Sequence, residues 1–311
     1  MHHLLSLFTI TVLAAESLIS PIPATSEIPV VVQRVTEKPS AGFGSLTSFR
    51  VENATTPITT PSPSPVLTVQ PATNARNDSL CSSCEAGRQT KKKQYTIALL
   101  GDSMIDTLGP EAPHLKGKLS AIYPGATITI KNFGVGGTNI EYGIERLRNS
   151  YAYLGVQIPS VVSTRPDLIV VESFGYNPFS FDTGALNKHW LSLATIVDII
   201  RSSLPGTKIL IAATIAPNRD VFGDGAPGLS FSSEDKVKRT ENIKRYLENT
   251  VKFARGEHIP LADVYHASLD GNGNGKLQYI NGGDHIHYSD AGRALFAQKV
   301  SEAIASNNLL N

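Results

Sequence analysis

Short apolar runs that alternate with stretches of helical period constrain this chain more than any other feature. Ile97-Ala-Leu-Leu100, Leu168-Ile-Val-Val171 and Ile209-Leu-Ile-Ala-Ala213 are unbroken by polar residues, and Ala126–Lys131 and Ile259–Val264 are weaker runs of similar length. A strand that is apolar on both sides of its pleat must be covered on both faces. Between the runs, apolar residues recur at helical spacing over 111–122, 139–153, 186–203, 233–254 and 289–304, the last with Ser289-Asp290 as its cap. Strands alternating with helices predict a three-layer α/β/α domain on a parallel five-stranded sheet, spanning 95–311. Ligands of such sheets sit at the carboxyl ends of the strands, so the residues there are the first candidates for function.

The N-terminal third differs. Leu4 to Ala15 is an almost continuous apolar run that ends in the small residues Ala14 and Ala15. It is shorter than the about 20 residues of a membrane span, so residues 1–20 are expected to be a signal peptide, with a short membrane anchor as the alternative. Residues 21–94 are rich in Thr, Ser and Pro, most densely from Thr55 to Pro65, and are expected to form a disordered tether. The only cysteines, Cys81 and Cys84, lie in this stretch. With no further Cys or nearby His they do not make a zinc site, and a local disulfide or two idle thiols is the expectation. Asn53-Ala-Thr55 and Asn77-Asp-Ser79 fit the glycosylation sequon but carry no functional weight. The tether and the leader predict a secreted or surface-anchored protein.

Charge is nearly balanced, with 28 basic against 27 acidic residues, so no global field argues for nucleic acid as a partner. The Lys91-Lys92-Lys93 run is expected to be the solvated end of the tether.

The strand ends carry the chemistry. The first run ends in Gly101-Asp102-Ser103, placing a hydroxyl at the sheet edge after a glycine that permits an unusual turn. The second ends in Asn132-Phe-Gly134-Val-Gly136-Gly137-Thr138, a glycine-rich turn that fits neither nucleotide fingerprint and serves better as a backbone donor to an oxyanion. The third ends in Glu172-Ser-Phe-Gly175-Tyr176-Asn177-Pro178, where the Asn177 amide can donate to developing negative charge. Near the C-terminus, Asp284 precedes His287 by three residues, a spacing that lets a carboxylate fold back onto imidazole Nδ1 and leave Nε2 free to take a proton from a serine. Asp284, His285 and His287 also raise the thought of a metal, but the set lacks a defined open-site geometry, and no metal or cofactor is expected.

Together these four segments resemble the SGNH, or GDSL-like, hydrolase superfamily, whose blocks occur here in family order over about residues 95–305. The third block departs from the family's Gly-x-Asn-Asp, because Pro178 stands in place of its Asp. The resemblance implies a flavodoxin-like fold and a serine esterase working through an acyl-enzyme. It implies Ser103 as nucleophile, His287 as base and then acid, Asp284 as its orienting group, and an oxyanion hole made by the Ser103 and Gly137 N–H groups with the Asn177 amide.

The expected partner is an ester, such as an O-acetyl group on a polysaccharide or cell-wall glycan. The alternatives are a non-catalytic carbohydrate-binding or surface-interaction protein on the same fold, and an O-acyltransferase using the same residues. Specificity is expected from the loops 104–113 and 176–184, which carry Tyr176, Phe179 and Phe181. Asp270-Gly-Asn272-Gly-Asn274-Gly275 opens like a calcium-binding EF-hand loop, but Asn281 stands where the bidentate Glu belongs, and a flexible loop carrying the Asp-His segment is the preferred reading.

Overall fold

The computed structural model describes residues 90–180 and 182–311. The leader, the Thr/Ser/Pro-rich stretch up to residue 89, both cysteines, both sequons and Phe181 lie outside the described residues. At the edge of that stretch Lys92 is engaged, pairing with Asp167, while the Lys93 carbonyl accepts from Thr127 N–H at 2.8 Å.

In chain order the elements are β1 (Gln94–Gly101), α1 (Ser103–Asp106), α2 (Pro113–Ile122), β2 (Thr127–Gly134), α3 (Ile140–Arg148), β3 (Tyr151–Tyr153), β4 (Val156–Ile158), β5 (Leu168–Glu172), α4 (Thr183–Ser203), β6 (Lys208–Ala213), α5 (Ser233–Gly256), β7 (Leu261–Asp263), α6 (Val264–Ser268) and α7 (Asp290–Ser306). The main sheet has the order β2-β1-β5-β6-β7 with every pairing parallel.

The alternation of each strand divides the core between two faces. Ile97, Leu99, Leu168, Val170, Leu210 and Ala212 point into one cluster, closed by Leu115 and Leu119 of α2 and Phe296, Val300 and Ile304 of α7. Ala98, Leu100, Ile169, Val171 and Ile211 point into the other, closed by Leu147 of α3, Leu193, Ile196 and Ile200 of α4, and Phe253 of α5. Both faces are thereby dry, as the unbroken apolar runs require.

The predicted helix over 139–153 is shorter than expected. It stops at Arg148, and Asn149 takes extended backbone as its C-cap. Tyr151–Tyr153 instead pairs antiparallel with Val156–Ile158 in a hairpin turned at Leu154 and Gly155, both at positive φ. The apolar period continues through Tyr151 and Tyr153, which disguises the break; the Asn149-Ser150 pair and the Leu-Gly turn are the local signals that mark it.

Register then builds the site. Gly101 pairs with Gly134, and Leu100 with both Phe133 and Val171, so β1, β2 and β5 end at one level. The chain leaves β1 toward β2 on one side and later returns to β5 on the other. Ser103 and the 173–177 turn therefore flank the switch point where strand order reverses.

Candidate active site

Ser103 opens the single turn of α1, and Asp102 caps it: the buried Asp102 carboxylate accepts from Met104 N–H at 2.8 Å through Oδ1. Its Oδ2 accepts from the Asn177 amide Nδ2 at 2.9 Å. One side chain thus fixes both the turn that presents Ser103 and the amide expected in the oxyanion hole. A second buried carboxylate works beside it. Glu172, at the end of β5, accepts from Ser173 Oγ–H, from Phe174 N–H at 2.9 Å and from Asp102 N–H at 3.4 Å.

Burial pushes the Glu172 carboxyl well above the ordinary carboxylate range, and the neighbouring Asp102 pushes it further. Burial raises Asp102 as well. Opposing that, the Met104 N–H, the Asn177 amide and the positive fields of His287 and Arg146 favour its charged form. Of the two, Glu172 takes the proton first and Asp102 remains the carboxylate. Arg146 is fully buried beneath this corner and donates to the Phe133 carbonyl at 2.6 Å and the Gly101 carbonyl at 3.0 Å, joining the ends of β1 and β2.

The glycine-rich turn is shaped by contact and by conformation. A Cβ on Gly134 would lie 2.1 Å from Asp106 N, so only glycine lets α1 lie against the end of β2. Gly137 has φ +70, a backbone that L side chains rarely adopt. Asn132 holds the other side of α1, its amide donating to the Ile105 and Gly109 carbonyls, each at 2.8 Å. Tyr153, from the unpredicted hairpin, donates to Asp106 Oδ2 at 2.7 Å and accepts from Gly136 N–H at 3.2 Å, bridging the serine helix and this turn.

The turn after β5 carries a positive φ of 52 at the buried Phe174, whose ring packs over Gly143. A left-handed backbone at a bulky residue is uncommon and is held by its surroundings, here the Glu172 bond to its N–H and the enclosed ring. Pro178 leaves Asn177 within reach of Asp102.

Asp284 and His287 meet as the spacing predicts. His287 Nδ1 lies 2.9 Å from Asp284 Oδ2, and Asp284 Oδ1 accepts from Ile286 N–H at 2.8 Å and His287 N–H at 3.0 Å. Burial alone would raise the Asp284 carboxyl, but these hydrogen bonds outweigh it and hold the group below its usual range. The acid therefore stays ionised to lower pH than an ordinary aspartate. The loop is anchored by His285, at positive φ, whose Nδ1 lies 2.7 Å from the Asp224 carbonyl, and by the buried Tyr288 hydroxyl, hydrogen-bonded to Thr214.

Ser103, Gly137, Asn177 and His287 all line one cleft of about 500 Å³, with Asp284 directly behind His287. The cleft's apolar wall differs from expectation. Tyr176 and Thr107 come from the predicted specificity loops, but Phe179 packs against the core under α3 and α4, and the aromatic wall is made by Phe222 and Phe231 with Leu229 and Ile286. Asp270 Oδ1 is spent on closing its own turn, accepting from Asn272 and Asn274 N–H at 2.8 and 2.9 Å. Among the described residues no group of three or more His, Cys, Asp or Glu side chains is placed to hold a metal ion, and no helix is long and apolar enough to cross a membrane.

A parallel α/β sheet with a serine turn, a backbone-amide turn, an asparagine and an Asp-His pair around one cleft defines the acylhydrolase class. The sequence matches the GDSL-like Lipase/Acylhydrolase family over residues 99–295, and the chain belongs to that family. Similar solved structures include a GDSL-like lipase from Bacteroides thetaiotaomicron, at 14% identity and TM-score 0.49 over 72% of this chain and 94% of that one. A lipase/acylhydrolase from Enterococcus faecalis is 18% identical, with TM-score 0.46 over 68% and 96%. An acetylxylan esterase from Geobacillus stearothermophilus is 15% identical, with TM-score 0.44 over 68% and 94%. No curated protein matches the chain.

Proposed function

We propose that this chain is a serine esterase that hydrolyses carboxylic esters through an acyl-enzyme. The observation that carries the reading is the convergence of Ser103, Gly137, Asn177 and the Asp284–His287 pair on a single cleft. Ser103 Oγ attacks the ester carbonyl carbon while His287 Nε2 takes its proton. Asp284, bound to Nδ1, holds the ring in the tautomer that leaves Nε2 unprotonated and then faces the imidazolium that forms. The tetrahedral oxyanion is met by the Ser103 and Gly137 N–H groups and by the Asn177 amide, whose orientation Asp102 holds. Collapse releases the alcohol with the proton from His287. A water deprotonated by the same imidazole then attacks the acyl-Ser103 carbonyl, and a second collapse frees the acid and restores the serine.

The substrate that fits the setting is a small acyl group, such as acetyl, on a polysaccharide or cell-wall glycan. The apolar Leu4–Ala15 run and the Thr/Ser/Pro-rich stretch support export and attachment at the surface, with the catalytic domain carried outside the membrane.

The test is turnover of p-nitrophenyl acetate by the purified protein and by Ser103→Ala. Loss of a triad nucleophile removes roughly 10⁶-fold of kcat. Equal rates for the two proteins would contradict the assignment.

A further inference from the structure

The cleft holds one cation that the proposed reaction does not use. Arg239, on the second turn of α5, lines the cleft together with Phe231, and its guanidinium carbon lies 4.2 Å from the Phe231 ring centroid. A guanidinium held over a ring in this way uses its charge against the ring quadrupole and keeps N–H donors for another partner. No such partner exists among the described residues. Other arginines there do find acids, Arg219 pairing with Asp220 and Arg255 with Asp263. Of the acids close in sequence, Glu241 pairs with Lys244 at 2.9 Å and Asp235 accepts from Ser232 Oγ–H at 3.0 Å, and Asp224, from the loop before α5, pairs with Lys236 at 2.6 Å.

The other acid and imidazole side chains in the lining are Asp106 and the Asp284-bound His287. Asp106 Oδ2 is bound to the Tyr153 hydroxyl beside the serine helix. The rest of the lining is aromatic, aliphatic or neutral polar. A guanidinium with open donors, set against low-dielectric aromatic walls, attracts an anion more strongly than the same group on an open surface. Its planar fork matches a carboxylate, with two parallel hydrogen bonds.

We propose that Arg239 is a specificity-determining residue that selects esters bearing a carboxylate or similar oxyanion elsewhere on the molecule. For a glycan substrate this means acylated acidic sugars in preference to neutral ones. The inference rests on the serine-esterase reading of the same cleft. It adds a recognition step and no chemistry, since the anion stays bound and unchanged while Ser103 exchanges the acyl group.

The experiment uses the full chain and two pairs of esters that differ only in charge or nearly so. 4-Acetoxybenzoate against 4-acetoxybenzamide places the charge on the alcohol side, and mono-4-nitrophenyl adipate against 4-nitrophenyl hexanoate places it on the acyl side. In one pair the anionic ester is expected to have the higher kcat/KM. Arg239→Gln is expected to lower that anionic-to-neutral ratio by roughly 10- to 100-fold, the range for a charge-assisted hydrogen-bonded contact, chiefly through KM. Arg239→Lys retains part of the preference, and added salt weakens it. Arg239 is exposed, so the variants test recognition rather than folding. Ratios in both pairs that are unchanged by Arg239→Gln would overturn the inference while leaving Ser103-dependent hydrolysis intact. Ester turnover that survives Ser103→Ala would instead overturn the reading on which it rests.

Discussion

At the scale of single residues, the site is an arrangement of paired carboxylates. Asp284 holds the His287 imidazole, and Asp102 holds the Asn177 amide while capping the turn that carries Ser103. On the proposed mechanism Asp284→Asn costs about 10⁴-fold in kcat, because the amide holds the imidazole in the wrong tautomer. Asn177→Ala costs roughly 10²–10³-fold, the loss of one oxyanion donor. Steady-state kinetics on a p-nitrophenyl ester checks both, and an Asn177→Ala enzyme as fast as the parent would remove that amide from the oxyanion hole. The residues to which the proposed mechanism gives direct roles were legible as candidates because each follows an apolar run or, for Asp284 and His287, shows the spacing of a folded-back pair. Glu172 and Arg146 were not. A Glu at a strand end and an Arg on a helix look like solvated charges in sequence; the closure of α3 over β1 and β2 buries Arg146, and the Gly101–Asp102 turn lying against the end of β5 buries Glu172.

At the scale of elements, the site depends on how β5 is tied to the helices over it. His189 of α4 is buried, with Nε2 2.8 Å from the Ser173 carbonyl and Nδ1 3.1 Å from the Asn249 amide of α5. With Asn249 donating to Nδ1, Nε2 carries the hydrogen and the ring is neutral. Burial lowers its pKa to about 4, against a partly offsetting bond to Ser173. The unfolded chain, with an ordinary value of about 6.5, binds the proton first on acidification. Stability from this group is therefore full above about pH 6.5 and falls as pH drops toward about 4, by about 3 kcal/mol. Denaturant unfolding at about pH 7 and about pH 4 should show that much greater acid sensitivity in the wild type than in His189→Asn. Parallel losses would contradict it. Strand positions were legible from apolar runs that admit no other burial. The β3–β4 hairpin was not, because its tyrosines continue the helical period, and with it went Tyr153, whose hydroxyl bridges Asp106 and Gly136.

At the scale of the whole molecule, the described core draws only on residues from Tyr95 onward, and α7 closes one face of the sheet. Phe296→Ala removes a fully buried ring from that face and is expected to cost about 3–5 kcal/mol in unfolding free energy. A loss under about 1 kcal/mol would mean that α7 packs less tightly than this. The cleft wall was the least legible part at this scale. Phe222 and Phe231 lie in a stretch without helix or strand between β6 and α5, and nothing local in that stretch says which side of the molecule it folds onto. The central claim is that one cleft, assembled from three strand-end segments and the Asp284–His287 loop, activates Ser103. Treatment of the native protein with a fluorophosphonate, followed by peptide mapping, tests it most directly. The account predicts a single adduct on Ser103 that is lost in His287→Ala. No adduct, or one on another residue, would contradict it.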